Sequence, residues 1–191
     1  PKFSSYWSNP YARSIAKKGV FFLFSSDRGD GLQAYRYELR NGEIKQLTEA
    51  KALRSETLNI LPDDRTFAYV DGRSVFLASF SGLREREVYQ IPEGWEMGDG
   101  FSVSGDGIYS VLVEKQGSKT RLRLIGMLKG NATTLVEHEG VLAHPQTRPR
   151  RASVLYQRDD QLCLVNYDGQ NNIQLAKISP SPGAAVWSPD G

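Results

Sequence analysis

The apolar positions of the chain fall in short runs that recur at a nearly constant spacing. Runs such as Val20–Ser25 and Ile108–Glu114 are rich in β-branched and aromatic side chains. Turns containing Gly, Asp and Pro separate these runs about every ten residues. Short runs with this composition and these boundaries indicate β-strands. Because the turns interrupt any apolar period of 3.6 residues, the pattern excludes a helical fold.

A polar turn recurs after the first strand of each repeat. One position of this turn is occupied by Gly19, Asp64, Asp106, Arg150 and Asp190 in successive repeats. The distances between these residues along the chain are 45, 42, 44 and 40 residues. The predicted second strands are Val20–Ser25, Thr66–Val70, Ile108–Glu114 and Ala152–Gln157. The predicted third strands are Leu32–Leu39, Ser74–Phe80, Thr120–Met127 and Gln161–Tyr167. The predicted fourth strands are Ile44–Thr48, Glu87–Ile91, Thr133–Glu137 and Ile173–Ile178.

Four short strands in each repeat of this length are typical of a β-propeller blade. A four-stranded sheet has two faces, so blades stack face to face, and their strands read as nearly continuous apolar runs such as GVFFLF and SVLVE. A β-sandwich is the alternative, but it does not explain the repeated order of turns. We therefore predict an all-β propeller of four-stranded antiparallel blades, with about four blades and the start of a fifth.

The predicted propeller region covers residues 1–191 as a single domain. The blades are expected at about 11–48, 55–91, 97–137 and 141–178, with an incomplete blade at 183–191 that stops at its first turn. A ring must pair its last blade with its first, because an open blade face leaves a large apolar patch in water. We therefore expect these blades to belong to a longer propeller.

Composition narrows the classes of partner. The formal net charge is +2 and charges of both signs are interspersed, so neither nucleic acid nor a membrane is expected as a partner. The longest apolar run is too short to span a bilayer. Cys163 is the single cysteine, which excludes an internal disulfide and a cysteine metal cluster.

Several segments resemble a known family. LFSSDRGDGLQAYRYELRNGEIKQLTEA and the closing WSPDG resemble the repeats of TolB-type propellers, and still more those of oligogalacturonate lyases, which are seven-bladed. Val88–Gly100 (VYQIPEGWEMGDG) resembles that family's segment after the second blade. Val136–Arg151 (VEHEGVLAHPQTRPRR) resembles its H-P-x-x-R-P motif, which is the more specific signal.

The resemblance implies a chemistry that this sequence lacks in part. The lyases cleave oligogalacturonides by β-elimination, which needs a base and a cation near the uronate carboxylate. In the family a histidine base follows the H-P-x-x-R-P strand, and a histidine-rich manganese site lies largely in later blades. Here the base position is a short turn at 158–160, and Ala184 and Ala185 stand where relatives have a metal-binding histidine. We therefore predict no catalytic residue, no metal ligand and no cofactor in this chain; manganese belongs to the lyase alternative.

Four residues are candidates for substrate binding. Arg148 matches the family arginine, which suits a carboxylate, and His144 lies in the same motif. Arg13 and Trp7 precede or form the first inner strand, where a cation and an aromatic ring suit an acidic sugar. For each the alternative is structural: Arg148 solvated at a basic turn, His144 bonded to a neighbouring blade, and the N-terminal pair packed on the ring.

Other polar residues are interpreted as structural. His138 lies between two glutamates at an outer strand end and is predicted to be a surface residue. Asp27 and Arg28 are expected to hold a turn through side-chain hydrogen bonds. The aspartate pairs at 63–64 and 159–160 are expected at hairpin tips.

The sequence therefore leaves two functions open. The first is a binding or scaffold propeller, for an acidic oligosaccharide or a protein partner, that lacks lyase chemistry. The alternative is an oligogalacturonate lyase, active in pectin degradation, whose remaining site lies outside this chain. The compartment stays open, since the lyases that the chain resembles are mostly cytoplasmic and TolB is periplasmic.

Overall fold

The computed structural model describes the backbone of Ser5 and Tyr6, residues 20–81 and 84–177, and Ala185, Trp187 and Ser188. Strands dominate this part of the chain. The helical structure within it is a single 3-10 turn at Ser55–Thr57. The all-β prediction is confirmed.

The described strands follow in groups of four. The first group is β1 (Ser5–Tyr6), β2 (Phe21–Gly29), β3 (Gly31–Glu38) and β4 (Ile44–Gln46). The second is β5 (Asn59–Ile60), β6 (Thr66–Asp71), β7 (Ser74–Ser79) and β8 (Glu85–Gln90). The third is β9 (Glu96–Val103), β10 (Tyr109–Gln116), β11 (Lys119–Gly126) and β12 (Ala132–Glu139). The fourth is β13 (Leu142–Thr147), β14 (Ser153–Arg158), β15 (Gln161–Asn166) and β16 (Ile173–Lys177).

Each group is an antiparallel meander in chain order, which is the topology of a propeller blade. We number the groups blade 1 to blade 4. Every predicted second, third and fourth strand overlaps a strand of the structure. In blade 1, β1 pairs with β2 and lies ahead of position 11, the predicted start of that blade. The remaining blade limits stay predictions.

The contacts of the chain group into two compact units, Pro1–Gln90 and Ile91–Gly191. In the first unit, blades 1 and 2 share one apolar core. Phe21 of β2 packs against Phe80 with ring centroids 4.7 Å apart, and Phe67 of β6 lies 5.0 Å from the same ring. Phe67 is fully buried, which contributes about 1.5–3 kcal/mol. The two blades therefore stack face to face, as the apolar runs predict.

In the second unit, blades 3 and 4 form one eight-stranded sheet. Their first strands, β9 and β13, are neighbours and pair in parallel at Asp99 and Ala143. One apolar core again joins the blades, with members from both: Val113, Leu122, Leu142, Tyr156, Cys163 and Val165. The lone cysteine is thus a fully buried core residue.

A buried polar network closes blade 1. The side-chain oxygen (Oε1) of Gln33 accepts hydrogen bonds from the Thr48 hydroxyl at 2.9 Å and from the Ala50 N–H at 2.8 Å. The side-chain nitrogen (Nε2) of Gln33 donates to the Ala50 carbonyl at 2.8 Å. The backbone N–H of Ala34 donates to the Thr48 hydroxyl at 2.9 Å. These bonds replace a strand ladder beyond β4 and satisfy backbone groups that would otherwise be buried without partners.

Replacing Gln33 should destabilise the fold. Gln33→Leu leaves the Ala50 backbone groups without these partners, so we expect the free energy of unfolding to fall by about 2–3 kcal/mol. Urea denaturation measures the change. Gln90→Leu, at an exposed glutamine in the same unit, is the control and should shift it by less than about 0.5 kcal/mol. Equal effects of the two variants would contradict the role of the network.

Candidate functional site

Arg148 lies in the turn between β13 and β14. Its N–H donates to the Ser153 carbonyl at 2.8 Å and closes the turn. The guanidinium carbon lies 4.7 Å from the ring centroid of Trp187, in the segment that follows blade 4. The same turn hydrogen bond closes blades 2 and 3, from Leu61 to Thr66 and from Ser104 to Tyr109. Arg148 thus occupies a repeated turn position at which blades 2 and 3 carry Leu61 and Ser104.

An open cleft of about 570 Å³ lies beside this turn. Its described lining combines two arginines, an aspartate and several hydrogen-bonding groups: Arg148, Arg151, Ala152, Ser153, Leu164, Asn166, Tyr167 and Asp168. Burial raises the pKa of Tyr167, and the nearby Asp106 adds to this, so its phenol stays protonated and can donate a hydrogen bond. The cleft can therefore offer cations and neutral donors to an anionic ligand.

His144 does not line that cleft. A β-bulge between Ala143 and Gln146 interrupts the pairing of β13 with β14, and His144 lies in it with a φ of 50°. Pro145 bends the strand here without ending it, since pairing resumes at Gln146. The His144 Nε2 atom lies 3.7 Å from the Oδ2 atom of Asp99 on β9. The structure thus places His144 against the neighbouring blade.

His138 is more engaged than predicted. Its Nε2 atom lies 2.7 Å from Asp159 Oδ2, in the hairpin between β14 and β15, and the Val141 N–H donates to Asp159 Oδ1 at 3.0 Å. The His138 side chain is only 27% exposed. His138 is partly exposed, and it also contacts blade 4 because the hairpin of that blade reaches the outer strand of blade 3. Asp159 lies in a turn, as predicted, but its carboxylate joins two blades.

The other residues singled out in the sequence either lie outside the described part of the chain or hold turns. Trp7 and Arg13 lie outside the described residues. Asp63 accepts hydrogen bonds from the N–H groups of Arg65 and Thr66, so it holds its turn as predicted. Arg28 bonds to Ser26 at 3.4 Å, and its guanidinium also stacks over the rings of Phe24 and Tyr35.

The structure contains a buried, paired carboxylate that the sequence did not predict. Glu114 of β10 is fully buried, and Arg121 of β11 donates to it at 2.6 Å. The Arg121 guanidinium stacks on Trp95 with 3.8 Å to the ring centroid. A carboxylate that is buried and paired in this way holds two strands together, so we interpret Glu114 as structural. Its position in an apolar run, SVLVE, gives no hint of an arginine partner seven residues later.

The described residues contain neither a metal-binding cluster nor a membrane-spanning helix. Within residues 20–81 and 84–177 and the three residues described beyond them, no group of three or more histidines, cysteines or acidic residues could hold a metal ion. In the same part of the chain, no helix is long and apolar enough to cross a membrane.

Comparison with known sequences confirms the family resemblance. The chain is 23% identical to the oligogalacturonate lyase of Dickeya dadantii and 22% identical to the oligogalacturonide lyase of Pectobacterium atrosepticum. In both cases 95% of the chain aligns with 54% of the relative, so the chain spans about half the length of the curated relatives it matches. No protein-family model matches the chain.

Comparison with solved structures confirms the fold. An oligogalacturonate lyase in complex with manganese matches with a TM-score of 0.85 at 22% identity, over 92% of this chain and 54% of that one. TolB from Acinetobacter baumannii matches with a TM-score of 0.67 at 18% identity, over 91% of this chain and 45% of that one. The predicted propeller fold and its resemblance to both families are therefore confirmed.

The link between His138 and Asp159 should show in the pH dependence of stability. The Val141 N–H and then His138 hold the pKa of Asp159 below its ordinary value of 3.8. A carboxyl group with a lowered pKa stabilises the fold above pH 3.8, and this contribution disappears as the pH falls through the folded-state pKa. Asp159→Asn should therefore lower the free energy of unfolding at pH 7 and have little effect near pH 2.

Urea denaturation at both pH values tests this expectation. The loss at pH 7 should stay below about 1 kcal/mol, because the pair is partly exposed to solvent. Asp160→Asn, at the exposed neighbouring aspartate, is the matched control and should have little effect at either pH. A loss of equal size at both pH values would rule out the electrostatic explanation.

Proposed function

We propose that this chain is the binding part of an oligogalacturonate lyase-like propeller and that it takes acidic oligosaccharides without performing β-elimination itself. The observation that carries the proposal is the setting of Arg148. This arginine stacks on Trp187 and lines a cleft that it shares with Arg151. A planar guanidinium that stacks through its face binds carboxylates through its edge, in a bidentate geometry.

The charge balance of the cleft supports an anionic ligand. Arg148 and Arg151 contribute two positive charges, whereas Asp168 contributes one negative charge. Ser153, Asn166 and the protonated Tyr167 add hydrogen-bonding groups suited to sugar hydroxyls. A volume of about 570 Å³ is in the range of sites for small ligands.

The proposal excludes lyase chemistry from this chain on the basis of its residues. The chain has two histidines, and each faces an aspartate of the adjoining blade, His144 at Asp99 and His138 at Asp159. The turn at 158–160, where the family carries its base, has no histidine. The proton next to a uronate carboxylate therefore lacks the base that the family uses.

The second candidate is an oligogalacturonate lyase whose remaining site lies outside this chain. The observation that favours it is that both curated relatives are named as lyases and align with nearly the whole chain. In this alternative the cleft beside Arg148 would still bind substrate, and manganese would be held by residues of other blades.

The carboxylate role of Arg148 predicts a graded loss of affinity. In calorimetry with trigalacturonate, Arg148→Ala should weaken binding about tenfold to a hundredfold, because a charge-assisted hydrogen bond contributes about 1.5–3 kcal/mol. Arg148→Lys should also weaken it, since a point charge cannot reproduce the bidentate geometry. Lys129→Ala, an exposed cation of blade 3, should leave it unchanged. Unchanged affinity in Arg148→Ala would overturn the role.

The chain itself should show no β-elimination. With digalacturonate, saturated or unsaturated, we expect no rise in ultraviolet absorbance from a conjugated product, with or without manganese. The reason is the missing base. Metal-dependent turnover that disappears in His144→Ala would instead show that this chain performs the elimination itself and would overturn the proposal.

A further inference from the structure

Asp99 and His144 form a second polar site, between blades 3 and 4. They lie on β9 and β13, the first strands of their blades, and such innermost strands border the central channel of a propeller. The parallel pairing of Asp99 with Ala143 brings His144 beside Asp99. The Asp99 side chain is 63% exposed and the His144 side chain 37% exposed, so part of each is accessible from solvent.

The backbone around this pair is unusual on both strands. His144 has a φ of 50°, which few residues other than glycine adopt. Opposite it, Gly100 has a φ of 113°, and a Cβ atom there would lie 2.4 Å from Pro145 Cδ. On the other side of Asp99, a Cβ atom on Gly98 would lie 2.6 Å from Val113 Cγ1. A positive φ at a residue other than glycine, as at His144, persists only where the surroundings hold it, and it is common at ligand sites.

The two strands are also fixed to each other next to the pair. The hydroxyls of Ser102 and Thr147 are 3.2 Å apart, and the Thr147 N–H donates to the Ser102 hydroxyl at 3.3 Å. The Thr147 hydroxyl donates to the Val103 carbonyl at 2.9 Å. These buried bonds hold the blades together, so the exposed pair is not required for that purpose. They also hold Asp99 and His144 on a rigid support, as a binding site requires.

We propose that Asp99 and His144 are a hydroxyl-binding pair that recognises neighbouring hydroxyls of a sugar ring. The carboxylate accepts a hydrogen bond from one hydroxyl, and the imidazole bonds to the next. At 3.7 Å, Nε2 and Oδ2 are beyond the distance of a direct hydrogen bond, which leaves room for a hydroxyl between them. Asp99 repels a carboxylate, so the pair selects hydroxyls whereas Arg148 selects an anion.

Two other roles fit less well. A metal site needs more ligands, and no group of three acidic, histidine or cysteine residues occurs in the described part of the chain. An ion pair that only stabilises the blades would contribute little at this exposure. Naming a sugar as the ligand rests on the proposed function; the hydroxyl chemistry rests on the geometry of the pair.

Calorimetry with two trisaccharides tests the proposal. The probes are trigalacturonate and a neutral trisaccharide of galactose, which differ in charge and share ring hydroxyls. Asp99→Asn and His144→Asn should each weaken binding of both sugars by at least about tenfold, which corresponds to the loss of one hydrogen bond to a charged group. Asparagine is chosen at 144 because it tolerates positive φ. Asp160→Ala, at an exposed aspartate of blade 4, should change neither affinity.

The outcomes separate this proposal from the role of Arg148. If Asp99→Asn weakens the binding of both sugars and Arg148→Ala weakens the binding of the acidic sugar alone, the hydroxyl role and the carboxylate role are both supported. Unchanged binding in Asp99→Asn and His144→Asn overturns the hydroxyl role of the pair and leaves the carboxylate role of Arg148 standing. A lower melting temperature in these variants with unchanged affinity has the same meaning, because it shows a structural role only. Weaker binding in the Asp99 and His144 variants alone supports the hydroxyl role and overturns that of Arg148. Binding of neither sugar by the unmodified chain overturns both.

Discussion

Burial of both faces of each four-stranded sheet is the constraint on which the rest of the structure depends. A sheet whose strands are apolar on both faces cannot leave either one in water, so each blade needs a neighbour. Phe21 of blade 1 and Phe67 of blade 2 meet around Phe80, and Val113 of blade 3 shares a core with Tyr156 of blade 4. The apolar interior is thus used for stacking. The candidate binding residues lie in a turn and at the border between blades 3 and 4.

The candidate sites lie where this arrangement permits variation. The turn after each first strand has the same backbone hydrogen bond in blades 2, 3 and 4, so its side chain can change without loss of the turn. Leu61 and Ser104 are structural at this position, whereas Arg148 carries a guanidinium to a cleft. A conserved backbone geometry with a variable side chain is what allows a repeat fold to acquire a site in a single blade.

Much of the fold could be predicted because its signals are local. Each turn and each apolar run is read within about ten residues, and the strands lie where those runs predict. His138 shows what local reading misses: its glutamate neighbours indicate a surface position, but its partner Asp159 comes from the next blade. Glu114 likewise depends on Arg121 of an adjacent strand. Pairings of this kind depend on register and blade stacking, which sequence spacing does not specify.

The border between β9 and β13 shows how glycine can serve a site rather than a turn. In the stretch GDG, neither glycine can accept a side chain, because Val113 and Pro145 occupy the space that a Cβ atom would need. Gly100 lets β13 approach closely enough to pair at Asp99, and Gly98 makes room for Val113 of β10. The same close approach turns the residue between them and the residue before Pro145 toward each other. The close packing of β13 against Gly100 of β9 therefore brings the polar pair together.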